Sequence, residues 1–262
     1  MNIWKRKNEI IFFHNEPSII DLFPIIESKK LKLDWTNKVR QDFQNRKNSE
    51  RDMIPIHVSR CPGIFDLFKY GYTVTLHKDI VIKPKDGGFE WETFGDTCPY
   101  DIKQEHFPNH FSISIQNVDM GTDLIPRPPW AFDFILKINT GWHVVAPKDL
   151  KFIMLPIAYP DTFDFTSTIG ILDPSIATDI NFQMFWNKKE IGEYEKDTVI
   201  KAGTPLGQLI PLSDKKFKMV QRIMNQQDLH WINKLNSAYN TGFWKYLMRK
   251  KVVDMYNKYW KR

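Results

Sequence analysis

The stretch that decides the fold runs from Ile138 to Pro211 and contains four blocks: INTGWHVVAP (138–147), IGILDP (169–174), FQMFWNKK (182–189) and IKAGTPLGQLIP (200–211). Each block is a short run of β-branched, aromatic and aliphatic residues that Gly, Pro or Asp interrupts or ends. Short apolar segments separated in this way by turn residues are typical of strands in sandwiches and barrels. The stretch therefore predicts a mainly β fold, but it names no reaction.

The same pattern continues outside this stretch. Residues 72–83 alternate, with Tyr72, Val74 and Ile80 on one face and polar residues on the other. We expect about ten strands in a core over residues 54–212, in a barrel or sandwich. Residues 1–53 are predicted to be an N-terminal extension. After Pro211, apolar residues recur at roughly helical spacing over Lys215–Leu235 and again over Phe243–Trp260, which predicts a C-terminal helical tail over residues 213–262.

Composition limits the function classes. The 262 residues are 42% apolar and 14% aromatic, which is ample for a packed core. Two cysteines are too few for a secreted disulfide scaffold, so a reducing compartment is expected. Apolar runs fall short of the roughly 20 residues that span a bilayer, so no membrane span is expected. The net charge of +6 permits nucleic-acid binding without requiring it, and the tail over residues 241–262 has seven basic residues against one acidic residue, interleaved with aromatics.

Four segments resemble an uncharacterised family of proteins carried by tailed phages, especially phages of marine bacteria. They are RCPGIFDLFKYGYTVTLHKDIVI (60–82), FILKINTGWHVVAPKDLKFIMLPIAYP (134–160), TIGILDPSIATDINFQMFWNKK (168–189) and VIKAGTPLGQLIP (199–211). The resemblance covers roughly residues 54–215. It implies an accessory or structural phage protein, located in the host cytoplasm or in the virion. Such a β module would form a homo-oligomer and bind a partner protein or a small ligand without catalysis.

A looser resemblance is to the β-clip fold of dUTP pyrophosphatases and dCTP deaminases. The blocks GILD (170–173) and AGTPLGQL (202–209) are similar in order and spacing to that family's Asp turn and closing block. The resemblance implies a nucleotide site around Asp173 and Gln208. However, the family's phosphate-binding Arg-Ser pair would fall near residues 156–159, where the chain has neither residue. A triphosphate needs such donors, so the implied protein binds nucleotide in degenerate form and does not hydrolyse it.

His77 and Asp79 are separated by one residue in a predicted strand, which would place imidazole and carboxylate on the same face. Fe(II)/2-oxoglutarate hydroxylases hold iron with such a pair and a distal histidine. His143 is the candidate distal ligand, and Lys151 is the candidate partner for the 2-oxoglutarate carboxylate. The competing interpretation is that His77 and Asp79 are ordinary solvent-facing residues of an amphipathic strand. Three functions therefore stay open: a non-catalytic binding module, an iron-dependent hydroxylase and a degenerate nucleotide-binding protein.

Overall fold

The computed structural model describes residues 8–49, 57–85, 88–94, 111–116, 124–132, 134–187, 198–230 and 232–233. Within these ranges the fold is mainly β, as the sequence predicts. The α-helices include α1 (Pro17–Leu22), α2 (Asp34–Ser49) and α3 (Pro62–Phe65). Short 3-10 turns occupy Ser28–Lys30, Val58–Arg60 and Asp66–Lys69.

The first sheet is built around one long strand. Its six strands are β1 (Glu9–His14), β6 (Ser112–Gln116), β7 (Ile135–Val145), β9 (Phe165–Ser167), β11 (Asp179–Trp186) and β14 (Lys218–Ile223). The order is β14-β1-β7-β11-β9, and β6 also pairs with β7. Because β7 is 11 residues long, it pairs with β11 along one edge and with β1 and β6 in succession along the other.

Two further sheets complete the described fold. The second has the order β10-β8-β13-β3-β2, formed by β2 (Ile26–Glu27), β3 (Tyr72–Thr75), β8 (Phe152–Leu155), β10 (Gly170–Leu172) and β13 (Pro205–Pro211). The third has the order β12-β4-β5, formed by β4 (Asp79–Lys85), β5 (Gly88–Phe94) and β12 (Thr198–Ile200). Each described sheet ends in two different edge strands, so none of them closes into a barrel.

The first two sheets pack face to face, as in a sandwich. Phe182 on β11 is fully buried and lies so close to β13 that a Cβ atom on Gly207 would be 2.3 Å from its ring. Ser167 at the end of β9 donates a hydrogen bond to the carbonyl oxygen of Leu206 on β13. One hydrophobic cluster includes buried residues of both sheets. Burial of this apolar surface is the main force that holds the sheets together.

The predicted extensions share the first sheet with the predicted core. β1 is an inner strand that pairs with β7 on one side and, in parallel, with β14 on the other. The helix predicted over Lys215–Leu235 is therefore wrong at residues 218–223, because β1 supplies a strand partner that local spacing does not reveal. Residues 226–230 are helical. The predicted helix at Phe243–Trp260 and the basic tail over 241–262 lie outside the described residues.

No helix in the described part of the chain is both long enough and apolar enough to cross a bilayer.

Candidate ligand-binding site

His77 lies in the connection between β3 and β4 rather than within one continuous strand. β3 ends at Thr75, and Leu76 makes two further backbone hydrogen bonds with a neighbouring turn, donating to Thr204 and accepting from Gly203. The imidazole of His77 is buried, with 6% of the residue exposed. The expectation that His77 faces solvent on an amphipathic strand is therefore wrong, whereas Asp79 begins β4 with 30% of its side chain exposed. Their role as metal ligands stays a prediction.

His77 belongs to a buried aromatic group. Its ring centroid lies 5.7 Å from that of His14 and 4.8 Å from that of Phe111, and the ring of His14 lies 5.2 Å from Trp142. His77 Nδ1 and His14 Nε2 have no hydrogen-bond partner within the described residues. Burial, with the charge of Lys78, lowers the pKa of His77 to about 4. Burial, with the neighbouring histidines, lowers the pKa of His14 to about 3. Both rings are therefore neutral at physiological pH.

His143 points to the opposite face of the first sheet. Its register partner on β1 is Phe13, and the two rings stack with centroids 5.3 Å apart. Its Nδ1 atom lies 3.0 Å from Oδ1 of Asp179 and 3.2 Å from Oγ1 of Thr178. Both contacts involve Nδ1, whereas the buried Nε2 atom has no hydrogen-bond partner within the described residues.

Asp79 faces a different part of the fold. Its carboxylate accepts hydrogen bonds from Lys201 Nζ at 2.8 Å and from the backbone N–H of Ala202 at 2.7 Å. The bond from Lys201, followed by that from Ala202, lowers the pKa of Asp79. No group of three or more His, Cys, Asp or Glu within the described ranges is arranged to hold a metal ion. The predicted set of His77, Asp79 and His143 is thus not assembled, and the associated iron and 2-oxoglutarate stay predictions without geometric support.

Lys151 and Asp173, which the sequence assigned to two different sites, lie side by side. Lys151 Nζ is 3.3 Å from Oδ2 of Asp173, and Oδ1 accepts from both the hydroxyl and the N–H of Ser175. Burial opposes ionisation of Asp173, but the Ser175 and Lys151 contacts prevail and lower its pKa. Through its hydrogen bonds to Ser175, the Asp173 carboxylate stabilises the turn after β10.

Gln208 is buried on β13, where its side-chain amide donates to the carbonyl oxygens of Leu67 and Tyr70 at 3.0 and 2.5 Å. Along the β8–β13 ladder Gln208 is opposite Leu155. Lys151, which contacts Asp173, lies four residues before Leu155 and just ahead of β8, or about 13 Å from Leu155 at strand spacing. A common nucleotide site at Asp173 and Gln208 stays a prediction.

A cleft that the sequence did not predict lies beside the turn that Asp79 holds. Its volume is about 410 Å³. Three segments line it: Leu31–Leu33 before α2, parts of the chain from Pro156 to Ser167, and Ala202–Leu206 before and within β13. Buried Leu33, Ile157, Phe165 and Leu206 contribute apolar surface, whereas Thr162, Thr166 and Thr204 contribute hydroxyl groups. We call this site the Thr204 cleft.

Hydrogen bonds between distant segments hold the walls of the Thr204 cleft. The backbone N–H of Asp34, at the start of α2, donates to both carboxylate oxygens of Asp161 at 3.1 and 3.0 Å. The next residue, Trp35, donates its indole N–H to the carbonyl oxygen of Tyr159 at 2.7 Å. Tyr159 itself has a positive φ of 52°, a conformation that is uncommon for a bulky residue. The sequence signal for this site was the pair of blocks at 156–160 and 200–211, but their spatial proximity depends on how the sheets pack.

Comparison with known proteins adds little. No family model matches the chain, and no curated protein matches it. Among solved structures it is similar to a 2'-deoxycytidine 5'-triphosphate deaminase from Agrobacterium tumefaciens, at 7% identity and a TM-score of 0.30. The alignment covers 83% of this chain and 53% of the deaminase chain, so it spans about half the length of that structure. The phage-family resemblance gains no support from these comparisons.

Proposed function

We propose that the chain is a β-sheet protein that binds a small ligand in the Thr204 cleft, without catalysis at that cleft. The observation that carries the proposal is the cleft itself, whose volume of about 410 Å³ lies within the range of small-molecule sites. An apolar interior with a few polar groups around it is also the usual composition of such sites. The described lining contains no Cys, His or Glu and pairs no hydroxyl group with a histidine base, so it offers no nucleophile–base set.

The lining limits the ligand's chemistry. The one carboxylate in the described lining, Asp161, already accepts two hydrogen bonds from Asp34. Lys32 is the one cationic side chain among the same lining residues, and it is exposed at the rim. A ligand with a flat or aliphatic body, a few hydrogen-bonding groups and at most a small negative charge fits these surroundings. A triphosphate does not, because one exposed lysine is too little to neutralise it.

We place a degenerate nucleotide-binding function in this cleft rather than at the predicted pair. The Asp173 carboxylate binds Ser175 and Lys151, and the Gln208 amide nitrogen donates to two backbone carbonyls. Gln208 Oε1 is buried and has no hydrogen-bond partner within the described residues. A nucleoside-sized ligand in the Thr204 cleft is the form of that function which the geometry supports. The predicted protein partner, self-association and location in the host cytoplasm or virion remain further parts of the proposal, and none of them follows from the cleft.

The test is a thermal-shift screen of nucleosides, nucleotides and small aromatic acids, because a ligand specific to the native state raises the melting temperature. Thr166→Trp fills the cleft from β9, where an aromatic residue is compatible with a strand. Thr198→Trp is the matched control, a half-buried strand residue that does not line the cleft. We expect a ligand that stabilises the parent chain and the control but not Thr166→Trp. Equal stabilisation of all three proteins by every hit would exclude the cleft as the site.

A further inference from the structure

A hydroxyl, an imidazole and a carboxylate meet between α2 and the 3-10 turn at Val58–Arg60. His57 Nδ1 lies 2.8 Å from the hydroxyl oxygen of Ser59, and His57 Nε2 lies 2.9 Å from Oδ2 of Asp42. The His57 side chain is 7% exposed, Ser59 is half-buried, and Asp42 faces solvent. The three groups therefore form a hydrogen-bonded chain that runs from an exposed carboxylate, through a buried ring, to a half-buried hydroxyl group.

The hydrogen bonds of the cluster assign its protons. The backbone N–H of Ser59 also points to His57 Nδ1, at 3.1 Å, so this nitrogen is the acceptor atom of a neutral ring. The ring proton is then on Nε2 and is donated to Asp42. Since Nδ1 bears no proton, the Ser59 hydroxyl can bond to it only as a donor. The order hydroxyl to imidazole to carboxylate is the one that lets a histidine take a proton from a serine nucleophile.

Asp42 is placed to orient the imidazole ring of His57. Its Oδ2 atom also accepts from Arg46 Nε at 2.9 Å, one helical turn further along α2. The hydrogen bond with His57, with additional help from Arg46, lowers the pKa of Asp42 and keeps the carboxylate ionised. The ring of Phe43 lies 5.3 Å from that of His57 and restricts the imidazole on another side. The ring is thereby held in one tautomer and one orientation.

Local structure explains only part of this arrangement. His57 precedes the 3-10 turn, and its acceptance of the Ser59 N–H is an ordinary capping interaction. Capping does not require the bond between His57 Nε2 and a carboxylate 15 residues away in sequence. The cluster is also separate from the Thr204 cleft. Asp42 lies eight residues beyond the start of α2, which corresponds to about 12 Å along the helix.

We propose that Ser59, His57 and Asp42 form a nucleophilic site that accepts the acyl group of small carboxylic esters. The Ser59 oxygen attacks the ester carbonyl carbon while its proton passes to His57 Nδ1. The bond to the leaving alcohol breaks, the alcohol takes that proton, and the acyl group stays on Ser59. A water molecule then attacks the acyl-serine, His57 takes and returns a proton, and the carboxylic acid leaves. Val58 is 42% exposed beside the nucleophile, which favours small uncharged acyl groups.

The experiment uses the full chain, p-nitrophenyl acetate as substrate and a fluorophosphonate probe whose attachment point is found by peptide mass spectrometry. We expect the probe on Ser59. Ser59→Ala removes the label. Asp42→Asn lowers the labelling rate by about 100-fold, the size of a general-base contribution. Ser213→Ala, which removes an exposed hydroxyl elsewhere, is the matched control. It should keep the parent rates of probe labelling and of p-nitrophenyl acetate hydrolysis.

The mapping on the unaltered chain decides the proposal even where a variant fails to fold. A probe found on other residues, or no label above that of heat-denatured protein, overturns it. Ester hydrolysis of equal rate in the parent chain and in folded Ser59→Ala overturns it as well. Ligand binding in the Thr204 cleft is expected to persist in Ser59→Ala, so failure of one proposal does not imply failure of the other.

Discussion

Mild acid is predicted to destabilise the fold through His14 and His77. Both rings are buried, and their pKa values are lowered from 6.5 to about 3 and about 4. Because each pKa is lower in the folded state, the unfolded chain binds more protons between these values and 6.5. Stability contributed by the neutral rings is therefore full above about pH 6.5 and is lost as the pH falls toward the folded pKa values.

The expected loss is large compared with the stability of a domain. At about pH 4.5 the unfolded chain has protonated both imidazoles almost completely, whereas the folded chain has protonated few. With the two pKa pairs above, each ring then accounts for about 2.6 kcal/mol, and the two together for about 5 kcal/mol. A typical domain is stable by only about 5–15 kcal/mol. A chain of ordinary stability should therefore lose between about a third and all of its free energy of unfolding near this pH.

The assay is urea unfolding followed by tryptophan fluorescence at several values from about pH 7.5 to about pH 4.5. His77→Phe retains a ring beside Phe111 and removes one titrating group, so the loss should shrink to about 2.6 kcal/mol. His230→Phe, at an exposed position, is the control and should show the parent pH dependence. A free energy of unfolding that changes by less than about 1 kcal/mol over this range would refute the reasoning.

Two substitutions test the backbone and side-chain contacts that shape the second sheet. Gly71 has a φ of 73°, and a Cβ atom there would lie 2.3 Å from the carbonyl oxygen of Leu209, so Gly71→Ala should cost at least about 2 kcal/mol in urea unfolding, whereas Gly170→Ala, with open space around it, should cost under about 1 kcal/mol. Gln208→Leu removes two buried hydrogen bonds and should cost about 1–3 kcal/mol per carbonyl left unpaired. An unchanged denaturation midpoint for Gly71→Ala or Gln208→Leu would contradict the packing described for β13.

The strands of the Ile138–Pro211 stretch could be predicted because their signals are local. β7, β11 and β13 each contain an apolar run bounded by turn residues, and each is a strand in the structure. The pairing of β1 with β14 could not be predicted in this way. It joins segments about two hundred residues apart in sequence, in parallel, and no turn signal connects them.

The error in the C-terminal segment has a specific physical origin. Phe217, Val220 and Met224 recur at helical spacing, but in the structure Val220 lies on β14 and the other two residues flank this strand. Phe217 packs against the main core cluster, whereas Val220 and Met224 pack against a second cluster on the other side of the first sheet. A strand buried on both sides has apolar residues at both odd and even positions, and such a pattern cannot be told from a helix by spacing alone.

The candidate sites show a similar division between residue type and placement. The sequence made Asp79 a candidate metal ligand, and it offered residues 202–209 as a block similar to the closing block of the β-clip fold. In the structure Asp79 instead binds Lys201 and the N–H of Ala202, while neighbouring Leu76 exchanges backbone hydrogen bonds with the same turn. Hydrogen bonds from the β3–β4 connection thus fix the turn that forms one wall of the Thr204 cleft. Asp79, a charged residue at the start of β4, contributes to the Thr204 cleft by fixing the turn at Ala202. The carboxylate that stood out in the sequence supports the wall of the cleft and does not itself line it.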